Sequence, residues 1–125
     1  MIFISHSERE RRSASALRRF LMEATNVAGN KIFCTRIHDQ NASGEKFSEQ
    51  LKFELRGCGI VFSILTPDSI MSDWVLFELG AAWALGKKLC LVFMDGVDFR
   101  DLPVLLSGFP YVDMDEQNAP IRLMA

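Results

Sequence analysis

The chain has 125 residues and a formal net charge of -2 at pH 7, with 49% hydrophobic and 24% charged residues. This length and composition predict one globular domain with a core of its own. The nearly balanced charge gives no electrostatic attraction to nucleic acid or to an acidic membrane, and no apolar run reaches the roughly 20 residues of a membrane span.

The cysteines and histidines do not form a recognisable metal or disulfide pattern. Cys34, Cys58 and Cys90 are odd in number and lack CxxC spacing, and His6 and His38 are too few and too far apart for a metal site. Cys34 and Cys90 lie within apolar runs and are predicted to be buried thiols. Met1 leads directly into IFIS, without the features of a signal peptide. Together these features favour a cytoplasmic protein without bound metal.

The first third of the chain predicts a strand, a helix and a second strand. Residues 2–5 are apolar, and Ser7 and Glu10 have the spacing of a capping box, with Ser7 as the N-cap of the helix. Residues 31–35 form the second apolar run. The apolar stripe of the helix is Ala14, Leu17, Leu21 and Ala24. Arginines occupy the other sides of this helix, which is typical of a solvated face.

A polar loop over residues 36–46 separates the second strand from the second helix. The loop is longer than the roughly 2–6 residues that are usual for such a connection. Long loops in compact domains often carry function, but a surface loop without function has the same composition, so both interpretations stay open. The predicted second helix has an apolar stripe at Phe47, Leu51, Leu55 and Cys58. Gly57 and Gly59 close it.

Three further strands are predicted in the second half of the chain. Residues 60–65 and 89–94 are predominantly apolar on both faces of the predicted strand, as in buried parallel strands. Residues 98–110 contain Pro103 and Pro110 and predict an irregular connection or a short helix. Residues 111–114 form a weak fifth strand.

The stretch over residues 66–86 contains the most informative side chain. Ser72 or Asp73 is predicted to cap a helix with its side chain, and Glu78 is the only charge between Trp74 and Gly86. Such a helix is predicted to be covered on both sides, with Glu78 among apolar neighbours. Trp74 lies four residues earlier and shares a helical face with Glu78, so the pair can hold a flat ring and act on a group attached to it. A structural carboxylate bonded to a backbone N–H at a helix–helix contact is the alternative.

Alternation of strands and helices predicts an α/β fold, a doubly wound five-stranded parallel sheet of order 2-1-3-4-5 with helices on both faces. In that order the ligand lies outside the carboxyl ends of strands 1 and 3, where the sheet order reverses. The residues predicted around this cleft are Ser5, His6, Ser7, Arg36, Ser72, Trp74 and Glu78. The sequence contains neither the GxGxxG nor the P-loop motif, so standard dinucleotide and P-loop binding have no support.

Four segments together resemble the TIR domain in its bacterial form. These are the IFISHS start, the SGEKF end of the polar loop, IVFSIL followed by TPDS, and SDWVLFELGAAWALGKK. The resemblance extends from Ile2 to about Asp115, so residues 1–125 are interpreted as a single TIR domain. It implies a flavodoxin-like fold. Enzymatic members of the family cleave NAD+ between nicotinamide and ribose with a helix glutamate that matches Glu78, and an aromatic residue ahead of it matches Trp74.

The resemblance therefore implies an NAD+ glycohydrolase that yields ADP-ribose or a cyclic isomer, in bacterial immunity against phage through NAD+ depletion. NAD+ is the substrate, and no bound cofactor is implied. Trp74 and Phe77 are expected to stack on a flat ring, and Ser5, Ser7 and Arg36 to contact ribose or phosphate. The 36–46 loop is expected to mediate self-association.

Three alternatives and one departure from the family pattern accompany this interpretation. Receptor and adaptor TIR domains are non-enzymatic scaffolds, and they typically lack the helix glutamate. A nucleoside deoxyribosyltransferase would need a nucleoside-specific polar set, and a response-regulator receiver would need an Asp where Leu65 and Thr66 stand. The final helix of the family has no counterpart after Arg122, so the chain is expected to be an effector domain with a fused or partner sensor domain.

Overall fold

The computed structural model describes residues 1–26, 28–34, 49, 52–70 and 72–115. The strands are β1 (Ile2–Ser5), β2 (Ile32–Cys34), β3 (Ile60–Leu65), β4 (Lys88–Phe93) and β5 (Tyr111–Asp113). The helices are α1 (Arg11–Thr25), the helical residues 52–56, here called α2, and α3 (Asp73–Ala84). Short 3-10 turns span Glu8–Glu10, Gly29–Lys31, Phe99–Asp101 and Val104–Leu106.

All described strand pairs are parallel, and the strands follow the order β2-β1-β3-β4-β5 across one sheet. The register between the two central strands places Ile2 opposite Ile60 and Ser5 opposite Ser63. Because β2 lies beside β1 at one side and β4 lies beside β3 at the other, the chain crosses in opposite directions after β1 and after β3. The carboxyl ends of these two strands lie side by side. An α/β fold with a parallel sheet was predicted from the sequence and is confirmed.

Each face of the sheet packs against a different helix, because successive strand residues point to opposite faces. On one face, Ile4 and Phe62 pack against Leu17 and Leu21 of α1. On the other face, Phe3 and Val61 join the α3 residues Val75, Leu79 and Ala82. Leu55 of α2 and Cys58 belong to this second cluster. Three residues of the predicted α1 stripe, Ala14, Leu17 and Leu21, are thus buried, whereas Ala24 is only partly buried. Leu55 and Cys58 of the second predicted stripe are buried, although Cys58 follows the helical residues.

The predicted capping box at the start of α1 is wrong. Residues 8–10 form a 3-10 turn, in which the Glu10 N–H donates to the Ser7 carbonyl oxygen over 3.1 Å. Within the described part of the chain the Ser7 hydroxyl has no hydrogen-bond partner. The Glu10 carboxylate instead accepts a hydrogen bond from the Thr66 hydroxyl over 2.6 Å. A partner distant in sequence has replaced the local one.

Two expectations for α3 also need correction. Ser72 is at the N-cap position, but its side chain makes no capping hydrogen bond. The helix is not covered on both sides, since Phe77 is 51% and Trp83 is 68% exposed in this chain.

Cys58 and Cys90 carry thiols and form no disulfide with a described residue, and the side chain of Cys34 is outside the described part. Cys58 is buried, whereas Cys90, which was predicted to be buried, is only partly so. Among the described residues, no helix is both long and apolar enough to cross a membrane. The predictions that concern Arg36, the 36–46 loop, Phe47, Leu51 and the segment after Arg122 lie outside the described residues.

Candidate active site

Glu78 and Ser5 meet beneath α3. The Ser5 hydroxyl at the end of β1 donates a hydrogen bond to Oε1 of Glu78 over 3.0 Å. Both residues are 0% exposed. A carboxylate removed from water needs donors, because its desolvation is costly. The sequence predicted that Glu78 would lie among apolar neighbours, and it does.

The position of Glu78 on α3 explains its burial. Val75, Leu79 and Ala82 are spaced by four and three residues, so they form the face of α3 that packs on the sheet. Glu78 lies on this side of α3 as well, one turn after Val75 and one turn before Ala82, and it is fully buried. Serine at position 5 is small, so it leaves space above β1 that the longer Glu78 side chain fills, and its hydroxyl supplies the donor.

A second serine lies beside this pair on β3. Ser63 is the parallel-register neighbour of Ser5, and it is also 0% exposed. It shares its sheet face with Val61 and Leu65, which pack toward α3. Its hydroxyl has no hydrogen-bond partner among the residues that the structure describes. The layer beneath α3 therefore contains two hydroxyls and one carboxylate among apolar side chains.

His6 and Ser7 follow β1 directly and lie at the carboxyl edge of the sheet. His6 is buried, and its Nδ1 lies 2.7 Å from the Ser7 carbonyl oxygen. Because a carbonyl oxygen only accepts, Nδ1 is the donor in this contact. Ser7 itself is partly buried.

The remaining predicted site residues are distributed along the start of α3. Ser72 is partly buried at the N-cap, and its carbonyl oxygen accepts from the Leu76 N–H over 3.0 Å. Trp74 lies in the first turn of the helix, and only its backbone belongs to the described part. Phe77 precedes Glu78 but points to the exposed side. Arg36 lies outside the described residues.

A second polar cluster joins α1 to the end of β3. The Thr66 hydroxyl donates to Oε1 of Glu10, and Thr66 and Ser69 exchange backbone and hydroxyl hydrogen bonds of 2.9 and 3.2 Å. All three residues are buried. This cluster fixes the turn from which the chain continues into α3.

An apolar groove of about 390 Å³ lies between α3 and the β4–β5 connection. Its lining consists of Leu76, Leu79, Gly80, Trp83, Pro103, Leu106 and Phe109. It contains none of the predicted site residues and is a separate feature from the cleft. Within the described ranges, no three His, Cys, Asp or Glu side chains come together as a metal-binding group.

Sequence reasoning did not identify Ser63, Glu10 or Thr66 as parts of these clusters. The signal for Ser63 was available, because serine interrupts the otherwise apolar strands IFIS and IVFSIL at positions that the parallel register brings together. Glu10 carried no such signal, since its partner is 56 residues away.

Comparison with known proteins identifies the family. Residues 2–124 match the TIR domain family. The chain belongs to the TIR domain family. No curated protein matches this TIR domain in sequence.

Solved structures share the fold of this TIR domain at low sequence identity. The TIR domain of the Toll-related receptor TRR-2 from Hydra magnipapillata is 15% identical, with a TM-score of 0.73 over 98% of this chain and 94% of that one. The CMP N-glycosidase BcmB of Clostridium botulinum is also 15% identical, with a TM-score of 0.63 over 98% and 99% of the two chains. A TIR-STING receptor from C. gigas is 22% identical, with a TM-score of 0.61, and the match covers 98% of this chain but 38% of the receptor.

Proposed function

We propose that this TIR domain is an NAD+ glycohydrolase in which Glu78 is the catalytic carboxylate. The observation that carries the proposal is the placement of Glu78. It is the one charge on the sheet-facing side of α3, it is fully buried, and Ser5 at the carboxyl end of β1 holds it. A ligand of a doubly wound sheet binds outside this end of β1 and β3. Purely structural packing of α3 would be served better by an apolar residue.

The reaction needs only one carboxylate. Cleavage breaks the bond between ribose C1′ and the pyridinium nitrogen, and the bonding electrons return to nicotinamide, which leaves neutral and needs no general acid. Glu78 would stabilise the oxocarbenium-like transition state by its charge and bond the ribose hydroxyls. Water then adds at C1′ and releases a proton, giving ADP-ribose. Attack by an adenine nitrogen of the same molecule would give a cyclic isomer instead.

The comparisons support this class of reaction in two ways. The family includes NAD+ hydrolases, and membership in it is shown for this chain. One structural neighbour is a CMP N-glycosidase, which also cleaves a bond between a ribose carbon and a base nitrogen. At 15% identity this likeness concerns the fold, so it supports the reaction class and not the choice of NAD+ as the substrate.

The other predicted residues would bind the substrate around Glu78. Trp74 would stack on a flat ring, and Ser7 and Arg36 would contact ribose or phosphate. Phe77 is left out of this set, because its side chain is on the exposed side of α3. His6 and Ser72 border the same edge. The metal-free chemistry given above uses NAD+ as the substrate and requires no cofactor.

Access to Glu78 requires a rearrangement, because the single chain encloses it completely. TIR domains generally self-associate. We propose that association of copies through the 36–46 loop opens and completes the cleft in the cytoplasm, under the control of a fused or partner sensor domain. Depletion of NAD+ in a bacterial immune response is the biological role that fits such control.

The experiment is incubation of the concentrated domain with NAD+, with nicotinamide release followed by chromatography. Glu78→Gln keeps the shape of the side chain and removes its charge. We expect it to slow release at least about a hundredfold, the loss typical of an electrostatic group that acts on the transition state. Glu23→Gln changes an exposed carboxylate on α1 and is the matched control, expected to keep full activity.

Two outcomes would contradict the proposal. One is release by Glu78→Gln at the wild-type rate. The other is no release by the wild type at any concentration tested, together with association of the domain. That second result would favour a non-enzymatic scaffold, which the exposed apolar residues Phe77 and Trp83 of α3 also fit.

A further inference from the structure

The side chain of Ser63 is a buried hydroxyl group without a hydrogen-bond partner among the described residues. It is 0% exposed in the middle of β3, and it shares its sheet face with the apolar residues Val61 and Leu65. No described residue is a hydrogen-bond partner of its hydroxyl. A buried hydroxyl without a partner costs stability, so alanine or a larger apolar residue would serve the core better at this position. An unsatisfied polar group of this kind in a native core calls for an explanation.

The surroundings of Ser63 provide one. Its register neighbour on β1 is Ser5, which donates to the Glu78 carboxylate. Adjacent strands lie about 4.8 Å apart, and both serines point to the α3 face, so the Ser63 hydroxyl lies in the same layer as the Ser5 hydroxyl and the carboxylate that Ser5 contacts. An ionised carboxylate has about four lone-pair sites and accommodates several donors.

We propose that Ser63 is a positioning residue that donates a second hydrogen bond to the Glu78 carboxylate. Rotation about the Cα–Cβ bond of Ser63 moves its hydroxyl from the present rotamer, in which it has no described partner, to one that points to the carboxylate. Ser5 and Ser63 then hold Glu78 from two adjacent strands. They keep it ionised beneath α3 and fix its orientation toward the carboxyl edge of the sheet. The hydrogen bond itself does not depend on the proposed function, and only its effect on catalysis rests on that proposal.

A double-mutant cycle tests the hydrogen bond without any activity assay. Ser63→Ala is expected to increase the unfolding equilibrium constant about tenfold, the change typical of a lost hydrogen bond to a charged group. Glu78→Met has a similar volume and no charge. In that background Ser63→Ala is expected to leave the constant unchanged or to lower it, because the hydroxyl then has no acceptor. Urea unfolding of the four proteins gives the coupling.

The same variants test the effect on catalysis. Ser63→Ala is expected to slow nicotinamide release about tenfold and to move the low-pH limb of the rate profile to higher pH, because a hydrogen bond to the charged form favours ionisation. Ser63→Thr keeps the hydroxyl and is expected to restore the pH profile. A residue with only a packing role would change the stability and leave this profile in place.

One result overturns the inference, namely that Ser63→Ala stabilises the wild type and the Glu78→Met protein equally, as removal of an isolated hydroxyl would. If Glu78→Met does not fold, Glu78→Gln replaces it, and the coupling is expected to fall by about half because the acceptor is neutral. An inactive wild type with positive coupling would contradict the proposed function and support the role of Ser63. An active wild type without coupling would support the proposed function and contradict the role of Ser63.

Discussion

At the scale of single residues, the unusual feature is the amount of polar chemistry beneath α3. Ser5, Ser63 and Glu78 are each fully enclosed, although the layer around them is built from Phe3, Val61 and similar side chains. Burying a carboxylate with its donors rarely stabilises a protein more than an apolar residue of the same size would. The arrangement is therefore better explained by a function of the carboxylate than by the stability of the domain.

Cys58 gives a prediction for alkaline pH. Burial raises the pKa of its thiol, with a smaller contribution from Glu54, and the nearby chain terminus and Lys87 oppose the shift. The unfolded thiol ionises near pH 8.5, whereas the folded one keeps its proton to higher pH. The unfolded state therefore binds fewer protons in this window, so the free energy of unfolding falls as the pH rises from about 8.5 through the pKa of the folded thiol.

Urea unfolding at several pH values between about 7.5 and 10 measures this effect. The wild type is expected to lose more stability over the range than Cys58→Ala, which lacks the titrating group. Cys90→Ala removes a partly exposed thiol and is the matched control. Equal pH slopes for the wild type and Cys58→Ala would contradict the prediction.

At the scale of elements, the hydrogen bond between Glu10 and Thr66 joins the start of α1 to the end of β3. Thr66 also forms the turn with Ser69 that leads into α3, so Glu10 acts on the helix that carries Glu78. Glu10→Ala is expected to lower the free energy of unfolding by about 1–3 kcal/mol, because a buried hydrogen bond to a charged group is lost.

A double-mutant cycle with Thr66→Val isolates this hydrogen bond, and a coupling of about 0.5–3 kcal/mol is expected from urea unfolding. Glu8→Ala, a change in the same 3-10 turn, is the comparison variant. Additive effects of Glu10→Ala and Thr66→Val on the free energy of unfolding would contradict a stabilising hydrogen bond between these two residues.

The elements also show which parts of the fold can be predicted from the sequence. The strands IFIS and IVFSIL were predicted with the bounds that the structure gives them, because buried strands have an apolar pattern that is local. The predicted capping box failed because the Glu10 carboxylate accepts from the Thr66 hydroxyl. The sequence does not reveal a donor that is 56 residues away. The predicted cover on both sides of α3 failed for a similar reason. It was inferred from the near absence of charge between Trp74 and Gly86, and the helix sequence alone does not show which elements pack against it.

At the scale of the whole molecule, the candidate site follows from topology. Ser5 and Glu78 are 73 residues apart, and they meet because β1 and β3 are neighbours and α3 crosses over both. A sequence pattern predicts that Glu78 is poorly solvated, but only the register of the central strands brings two serines next to it. The proximity of Ser5 and Glu78 could thus be predicted from the strand order, whereas the hydrogen bond between them could not.

The same burial predicts how activity should depend on protein concentration. An isolated copy encloses Glu78 completely, so it does not present the carboxylate to a substrate. If association opens the cleft, nicotinamide release per mole of protein should rise with concentration and approach a plateau as the associated form becomes dominant. The measurement is the initial rate over a dilution series, compared with the oligomeric state from sedimentation at the same concentrations.

Glu78→Gln is the matched control for this series, because it should associate like the wild type and stay inactive throughout. A rate per mole that is constant across the series would mean that a single copy opens its own cleft. In that case the rearrangement that exposes Glu78 belongs to the fold of one chain, and association would have to serve a purpose other than activation.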